Sequence, residues 1–307
     1  MKRRSLQVEK TEAGSALSSF LARTLKVSRA QAEHLVTLGA VYVDGRRCLE
    51  AKRVLRAGQK VTAVLEESGR GGLEPARPSL PLAVLYEDEE LLAANKPPGL
   101  SAQPTPGRVG ESLLDLVSAH LGRDAGLVHR LDRETSGVTV FAKTKAATSA
   151  LAAQFREGAV RKRYLAATMP GLPERGTIEL PIAKDPTRPG RQRALRHGNG
   201  KPAVTDFERL FADEVYCLVA LFPRTGRTHQ LRAHLRALDA PILGDALYGG
   251  PKGAGGLSAP RVLLHAQALV LAHPRTKAPV LLEAPVPHDL ARFFTHAQVE
   301  PPHGAWR

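Results

Sequence analysis

The chain has 307 residues, 43% of them hydrophobic, enough for two domains, or one large domain with an appendage, and for a sizeable buried core. Lysine and arginine outnumber aspartate and glutamate by 44 to 30, a net charge of +14, which points to a polyanionic partner, nucleic acid ahead of a membrane surface. The two cysteines, Cys48 and Cys217, lie far apart and exclude a disulfide framework or a cysteine zinc site, and no stretch approaches the roughly 20 apolar residues of a membrane span. With no apolar run behind its basic N-terminus, the chain reads as a soluble protein of a reducing cytoplasm.

Residues 15 to 65 read as a compact unit. A helical pattern runs through Leu17, Phe20, Leu21 and Leu25. A second helix starts at Ser28, a residue suited to cap it, with Leu35 and Leu38 on its apolar face and Gly39 as its stop. In V-Y-V-D-G-R-R the Asp44-Gly45 pair signals a hairpin turn, and a last strand covers 60 to 65. Nine Lys or Arg stand here against three acidic residues, gathered near the second helix start (Arg29) and on the hairpin (Arg46, Arg47). Such charges either keep a small α/β unit soluble or hold RNA, and their clustering favours RNA. Residues 66 to 81, rich in Gly and Pro without periodicity, read as a flexible linker.

From Leu82 the texture changes. Apolar or alternating runs at 82–86, 91–94, 138–142, 164–168, 204–211 and 215–222 predict strands of a mixed sheet. Amphipathic segments at 145–157 and 228–238 predict helices. Strands in runs with helices segregated from them favour an α+β fold, and the domain extends to about 292, followed by a loosely ordered tail, 293 to 307.

No phosphate-binding Gly-rich loop, dinucleotide fingerprint or H-E-x-x-H is present, so neither cofactor nor metal is expected. His229 and His234 are five apart, off the spacing of a helical metal pair, and read as solvated or capping. Three segments draw attention. In His129-Arg130-Leu131-Asp132, followed by Thr135-Ser136-Gly137, a tight loop feeds a strand and leaves Asp132 at its mouth. In Arg161-Lys162-Arg163-Tyr164 an aromatic opens a strand after three cations. In Arg224-Thr225-Gly226-Arg227-Thr228-His229-Gln230, Thr228 reads as an N-cap, which sets two arginines at the positive end of a helix dipole. A cation there is disfavoured by about 0.3–1 kcal/mol. Either both arginines face water or an anion compensates them; Asp132 and RNA phosphate are the candidates.

Together these segments resemble the RluA-type pseudouridine synthase family, through H-R-L-D-R-E-T-S-G, K-R-Y, T-G-R-T-H-Q-L-R-A-H, P-I-L-G-D-A-L-Y-G and L-L-H-A followed by H-P, in the family's order over nearly all of 83 to 292. S-R-A-Q-A-E-H-L-V-T-L-G-A-V-Y-V-D-G is similar to the small RNA-binding domain of ribosomal protein S-four, although Ser15-Ala16-Leu17 stands where that domain often opens with Arg-Leu-Asp. A His common in relatives is also replaced, around Gln103-Pro104. The resemblance implies a mainly antiparallel mixed sheet and an isomerase without cofactor that converts uridine in RNA to pseudouridine. Asp132 matches the catalytic aspartate, Tyr164 the aromatic stacking on uracil, and Arg227 the arginine paired with the aspartate. Arg130 matches a side chain entering the RNA as the nucleotide flips, and His129, Lys162 and Leu264 are further substrate contacts. The expected partner is ribosomal RNA, with transfer RNA as the alternative, and the protein is expected to act as a monomer. A non-catalytic RNA-binding protein on the same fold and a nucleoside hydrolase are the competing readings. The second lacks an evident second carboxylate.

Overall fold

The computed structural model describes residues 2–37, 39–67, 73–74, 81–104 and 112–306. It divides into two compact units: Met1–Pro81 with Gln103–Arg123, and Leu82–Ala102 with Asp124–Arg307.

The first unit contains strand β1 (Lys2–Gln7), helices α1 (Leu17–Leu25) and α2 (Arg29–Thr37), strands β2 (Val41–Val43), β3 (Arg46–Arg47), β4 (Lys60–Glu67) and β5 (Leu73–Glu74), and helix α3 (Leu113–Leu121). The Ser28 hydroxyl accepts the Gln31 N–H while the Gln31 side chain takes the Ser28 N–H, the reciprocal cap that fixes the start of α2. Asp44 and Gly45 both have positive φ, 52° and 77°, and join β2 to β3 by a two-residue turn whose twist matches its strands. Leu17, Phe20, Leu21, Leu35, Val41 and Val61 share one buried core; Leu38 lies outside the described residues. Most of the expected linker also lies outside them, but two described parts depart from expectation: β4 continues to Glu67, and β5 folds back on it, Glu66 opposite Glu74. The strand β1 runs antiparallel to β4 from Lys2–Leu65 to Gln7–Lys60. Helix α3 carries a full capping box between Ser112 and Asp115.

The second unit is built on β6 (Val84–Glu87), β7 (Leu91–Lys96), β8 (Gly126–Leu127), β9 (Ser136–Ala142), helix α4 (Lys145–Glu157), β10 (Arg161–Thr168), β11 (Arg175–Ile178), β12 (Ile182–Lys184), β13 (Gln192–Ala194), β14 (Thr205–Ala212), β15 (Cys217–Pro223), helix α5 (Gln230–Ala237), β16 (Gly253–Ala254), β17 (Leu257–Ser258), β18 (Leu264–Ala272), β19 (Pro279–Glu283) and helix α6 (His288–Ala297). Its ten-stranded sheet runs β11-β14-β15-β10-β18-β9-β7-β6, with β19 on β18 and β8 on β9. Every pairing in it is antiparallel except β9 with β18, the mixed α+β sheet that the pattern predicts, with the mainly antiparallel character that the resemblance implies. All seven residues of β9 are buried, as a strand near the middle of a covered sheet requires.

The parallel contact between β9 and β18 is short, Ser136 opposite His265 and Gly137 opposite Ala266. Gly137 has φ of 114°, and a Cβ there would sit 2.1 Å from the Ala266 carbonyl oxygen. Only glycine lets the two backbones meet.

The expected loose tail is instead ordered. Helix α6 runs to Ala297, burying Leu290, Phe293 and Phe294. After it the Pro302 carbonyl accepts from Arg163 and Gln267 at 3.1 and 2.9 Å, Gly304 N–H donates to Glu283, and Trp306 lies 4.5 Å from the Arg163 guanidinium. Terminal position misled because a buried arginine on β10 needs these acceptors.

Gly137→Ala should cost at least about 2 kcal/mol, from a φ that alanine resists plus a clash with backbone. Thermal unfolding should show a midpoint lower by several degrees; an unchanged midpoint would mean the strands can part without cost.

Candidate active site

Asp132 sits on the loop between β8 and β9, closed by a Thr135 N–H to Asp132 carbonyl bond of 3.1 Å. Leu131 is buried, while Arg130 before it is exposed. The loop is clamped from the segment after β7. Gly99 N–H donates to the Arg133 carbonyl, and Arg133 Nε returns to the Gly99 carbonyl at 2.8 Å. Lys96, fully buried, donates to the carbonyls of Pro97, Leu100 and Arg133 at 3.0, 2.7 and 2.9 Å. Burial lowers this ammonium to about 7, and Glu134 and Asp132 oppose that fall. The three carbonyls match the three N–H donors of its charged form.

His129, expected at the RNA, is turned inward. Its Nε2 accepts the Val140 N–H at 2.8 Å and its ring stacks on Phe155 at 4.3 Å. Burial, with Lys162 nearby, drops it to about 3, so it stays neutral and pins the loop to β9.

Facing Asp132 are Tyr164 and Lys162 of β10 and Leu264 of β18. The β10–β18 register shifts between Arg163 and Tyr164, a bulge of the kind that re-aims side chains beside active sites. Burial, then the Asp132 charge, pushes the Tyr164 hydroxyl well above its ordinary range, so it remains a neutral phenol. Burial lowers the Lys162 ammonium.

The third wall corrects the sequence reading. The N-cap of α5 is His229 in a left-handed conformation, φ 54°, so Thr228 lies outside the helix. Arg224 finds its anion in Asp206, at 2.6 and 2.8 Å. Arg227 lines the pocket, but its Nε donates to the Pro202 carbonyl at 3.0 Å, directing the head along the loop. The cation that faces Asp132 is Arg232, 3.7 Å away, with His229 Nε2 at 3.8 Å. One helical turn explains the exchange: positions 229 and 232 share a face of α5, and 227 precedes it. His234, read as solvated or capping, is fully buried and bonded to Thr205 and the Leu180 carbonyl.

Arg232 is held from behind. Its Nε and Nη2 form a fork with the fully buried Asp245 at 2.6 and 2.8 Å, and its guanidinium lies 4.9 Å from the Tyr248 ring centre. Burial works against its charge, yet Asp245, with Asp132 and Tyr248, outweighs burial and the pKa is raised. Tyr248 Oη accepts the Gln192 N–H and so can donate to His229 Nδ1 at 3.1 Å, which leaves Nε2 as the N–H turned to Asp132. Burial, opposed by the Asp132 charge, lowers His229. Asp245 and Tyr248 belong to P-I-L-G-D-A-L-Y-G, a segment whose residues had no assigned role; Lys96 had none either.

These walls enclose a pocket of about 130 Å³. Ligand sites for drug-sized molecules span about 300–1,000 Å³; this one suits a single planar ring. Four cations line it, Arg130, Lys162, Arg227 and Arg232, with Asp132 the one carboxylate among the described lining residues. Anions are favoured at its mouth, and the buried Asp245 behind the wall is held by Arg232.

In the first unit Arg29 is exposed and paired with Glu33 at 3.1 Å, a surface pair weak enough to exchange for phosphate. Arg47 is committed internally, bonded to the Gly39 carbonyl and ion-paired with Asp115, which removes it from the expected RNA contacts. The Arg46 side chain lies outside the described residues.

Residues 90–237 match the family model described as RNA pseudouridylate synthase, and residues 17–61 the S4 domain. The chain is 35% identical to the ribosomal large subunit pseudouridine synthase D of Xanthomonas campestris pv. campestris, over 95% of this chain and 92% of that protein. It is 32% identical to the protein of the same name from Escherichia coli strain K12, over 94% of this chain and 92% of that one. Among solved structures, human RNA pseudouridylate synthase domain containing 4 is similar at 30% identity and a TM-score of 0.60, covering 72% of this chain and 95% of that one.

Lys96→Met should leave the Asp132 loop under-bonded. Each orphaned carbonyl costs about 1–3 kcal/mol where water cannot reach it. Thermal unfolding should drop by at least about 2 kcal/mol in stability, and amides 131–136 should exchange with deuterium faster than in the parent. Unchanged exchange there would show that the Gly99–Arg133 bonds alone hold the loop.

Proposed function

The chain belongs to the RNA pseudouridine synthase family and is an enzyme that isomerises uridine in RNA to pseudouridine; we propose that its target lies in large-subunit ribosomal RNA and that Asp132 carries the chemistry. One observation bears most of the weight: a single carboxylate, backed by Arg232, in a cation-walled pocket sized for one ring. In the reaction the C1′–N1 bond of uridine breaks, the uracil turns, and a C1′–C5 bond forms. The C5 proton leaves and N1 is reprotonated, so product and substrate have the same atoms and no water is consumed. A lone carboxylate is enough for that, whereas hydrolysis of a glycosidic bond typically uses two.

On this reading each wall has a task. The uridine must leave its stack to expose its glycosidic bond, at a cost of a few kcal/mol. Arg130, exposed at the pocket rim, is placed to occupy the vacated space. Tyr164 and Leu264 pack against the uracil, and the neutral phenol adds no charge repelling the phosphate. Arg232, braced by Asp245, orients the Asp132 carboxylate towards the sugar. Lys162 and Arg227 neutralise phosphates at the mouth.

The S4 domain match supports an RNA anchor in the first unit, and the relatives named for the large ribosomal subunit support ribosomal over transfer RNA. Both cysteines are free and buried, which supports work in a reducing compartment.

With [5-³H]uridine-labelled transcripts of large-subunit ribosomal RNA the protein should release tritium, and with transfer RNA transcripts it should not. Asp132→Asn, nearly isosteric, should reduce release at least about 10³-fold while RNA affinity stays within about twofold. Measurable turnover by that variant would remove Asp132 from the chemistry.

Tyr164→Phe should bind a 5-fluorouridine stem-loop nearly as the parent does, whereas Tyr164→Ala should lose about 1–3 kcal/mol of stacking. Equal weakening by both would make Tyr164 a packing residue and not a platform for the base.

A further inference from the structure

Beside the uridine pocket lies a second cavity of about 530 Å³, and the two share the wall Gly226, Arg227 and Thr228. Its opposite wall is the β12–β13 hairpin and the returning strand at Gly200 and Lys201. Size separates the two spaces. The first accepts one ring, while the second falls within the range that holds a whole nucleotide.

Its charge is one-sided. Between 184 and 201 the chain has six Lys or Arg and one acidic residue, Asp185. That carboxylate is already spent, accepting from the Thr187 N–H and hydroxyl at 2.9 and 2.7 Å and ion-paired with Arg191. Lys184, Arg188, Arg193, Arg196 and Lys201 are exposed, and no carboxylate pairs with them among the described residues. Clusters of cations are commonly no more than solvated faces, but two of these, Lys184 and Lys201, line the cavity together with Arg227.

The hairpin is also fixed in place. Ile182 and Lys201 exchange backbone bonds of 2.9 and 2.8 Å, and Leu195 N–H donates to the Pro181 carbonyl. At its inner end Gln192 N–H donates to Tyr248, whose ring backs Arg232. The cavity is therefore registered to the same tyrosine that orders the catalytic arginine.

An RNA strand that delivers one nucleotide into the small pocket must carry its neighbour past the rim, and the shared wall is where the strand leaves. We propose that the second cavity is a nucleotide subsite, taking the residue adjoining the flipped uridine, with its phosphate held by Lys184, Lys201 and Arg227. The proposal rests on the RNA isomerase reading and adds the path of the strand to it.

The test uses the full-length protein and a fluorescein-labelled ten-nucleotide oligouridylate, with affinity followed by anisotropy as salt is raised. Each lost contact to a single-strand phosphate should make the slope of log K against log salt shallower by about 0.7. Lys184→Ala/Lys201→Ala, which gives up one phosphate, should therefore flatten it by about 0.7 and weaken binding about tenfold at low salt. On the labelled ribosomal transcript its loss in kcat/KM should be carried by KM. Arg188→Ala/Arg196→Ala, at exposed positions outside the cavity lining, is the comparison pair and should flatten the slope by less than half as much. Equal flattening by the two pairs would show a diffuse positive face without a subsite, and an unchanged slope for the cavity pair would show no phosphate there; either result overturns the proposal. Both side chains are exposed, so the thermal midpoint reports any misfolding separately. Absence of tritium release by the unmodified protein would instead defeat the isomerase reading, whatever the oligouridylate slopes show.

Discussion

The close approach of two backbones at Gly137 and Ala266 is the constraint on which the site depends. It joins β9 to β18 in parallel within an otherwise antiparallel sheet. Because β18 also pairs with β10, the loop that enters β9 is brought beside Tyr164 and Leu264. A side chain at 137 would push the strands apart and carry Asp132 away from the wall formed by Tyr164 and Leu264. The loop is then bound at its other end by Lys96, which spends all three ammonium donors on carbonyls, one of them that of Arg133. Placement of a reacting group to within about 1 Å can matter 10²-fold in rate, which gives a reason for a buried lysine that touches no substrate.

Electrostatics around Asp132 follow a division of labour. Two unit charges about 4 Å apart attract by about 4 kcal/mol in surroundings of intermediate polarity, before the cost of desolvating them. Arg232 supplies that attraction at 3.7 Å but has its short, directional bonds with Asp245. A buried arginine needs a fork partner, and Asp245 satisfies it without engaging the reacting carboxylate. Asp132 keeps an oriented cation nearby and both oxygens outside a fork. Had the fork formed with Asp132 itself, the carboxylate would be strongly bound in the ground state, and that binding would have to be undone to reach the sugar.

How legible this was in the chain depends on the range of the interaction. Local signals were sound: the Ser28 cap, the Asp44-Gly45 turn and the helix over 145–157 are written in neighbouring residues, and the structure has all three. So was the position of Asp132 at a strand mouth, since Gly137 and small hydroxyl residues mark the turn. Partnerships across the fold were not legible. The resemblance gave Arg227 to Asp132, and a helix capped at Thr228 agreed with it; the helix starts at Gln230, and the cation facing Asp132 is Arg232. His129 beside Asp132 suggested a substrate contact, but alternation around Leu131 and the demand of the Val140 N–H turn it inward. Nothing local marked 298–306 as ordered either, because its bonds go to Arg163, Gln267 and Glu283. β1 has too few apolar residues to show a period, and its order comes from the pairing with β4.

On the proposed reading, a single lining carboxylate favours isomerisation over hydrolysis. A hydrolase needs a second group to activate water, commonly a carboxylate about 5 to 9.5 Å from the first. Asp245 is an acid near Asp132, but it is fully buried and both its oxygens are held by Arg232. His229 could serve as a base, yet its Nδ1 is tied to Tyr248, and burial lowers its affinity for a proton. The remaining lining is cationic, apolar or neutral polar, with no further carboxylate among the described lining residues, and on the proposed reading a cleaved uracil would be kept against Tyr164 and Leu264. On the proposed reading, the same poverty of acids that makes the pocket attractive to phosphate favours recombination of the sugar with the base it released over attack by water.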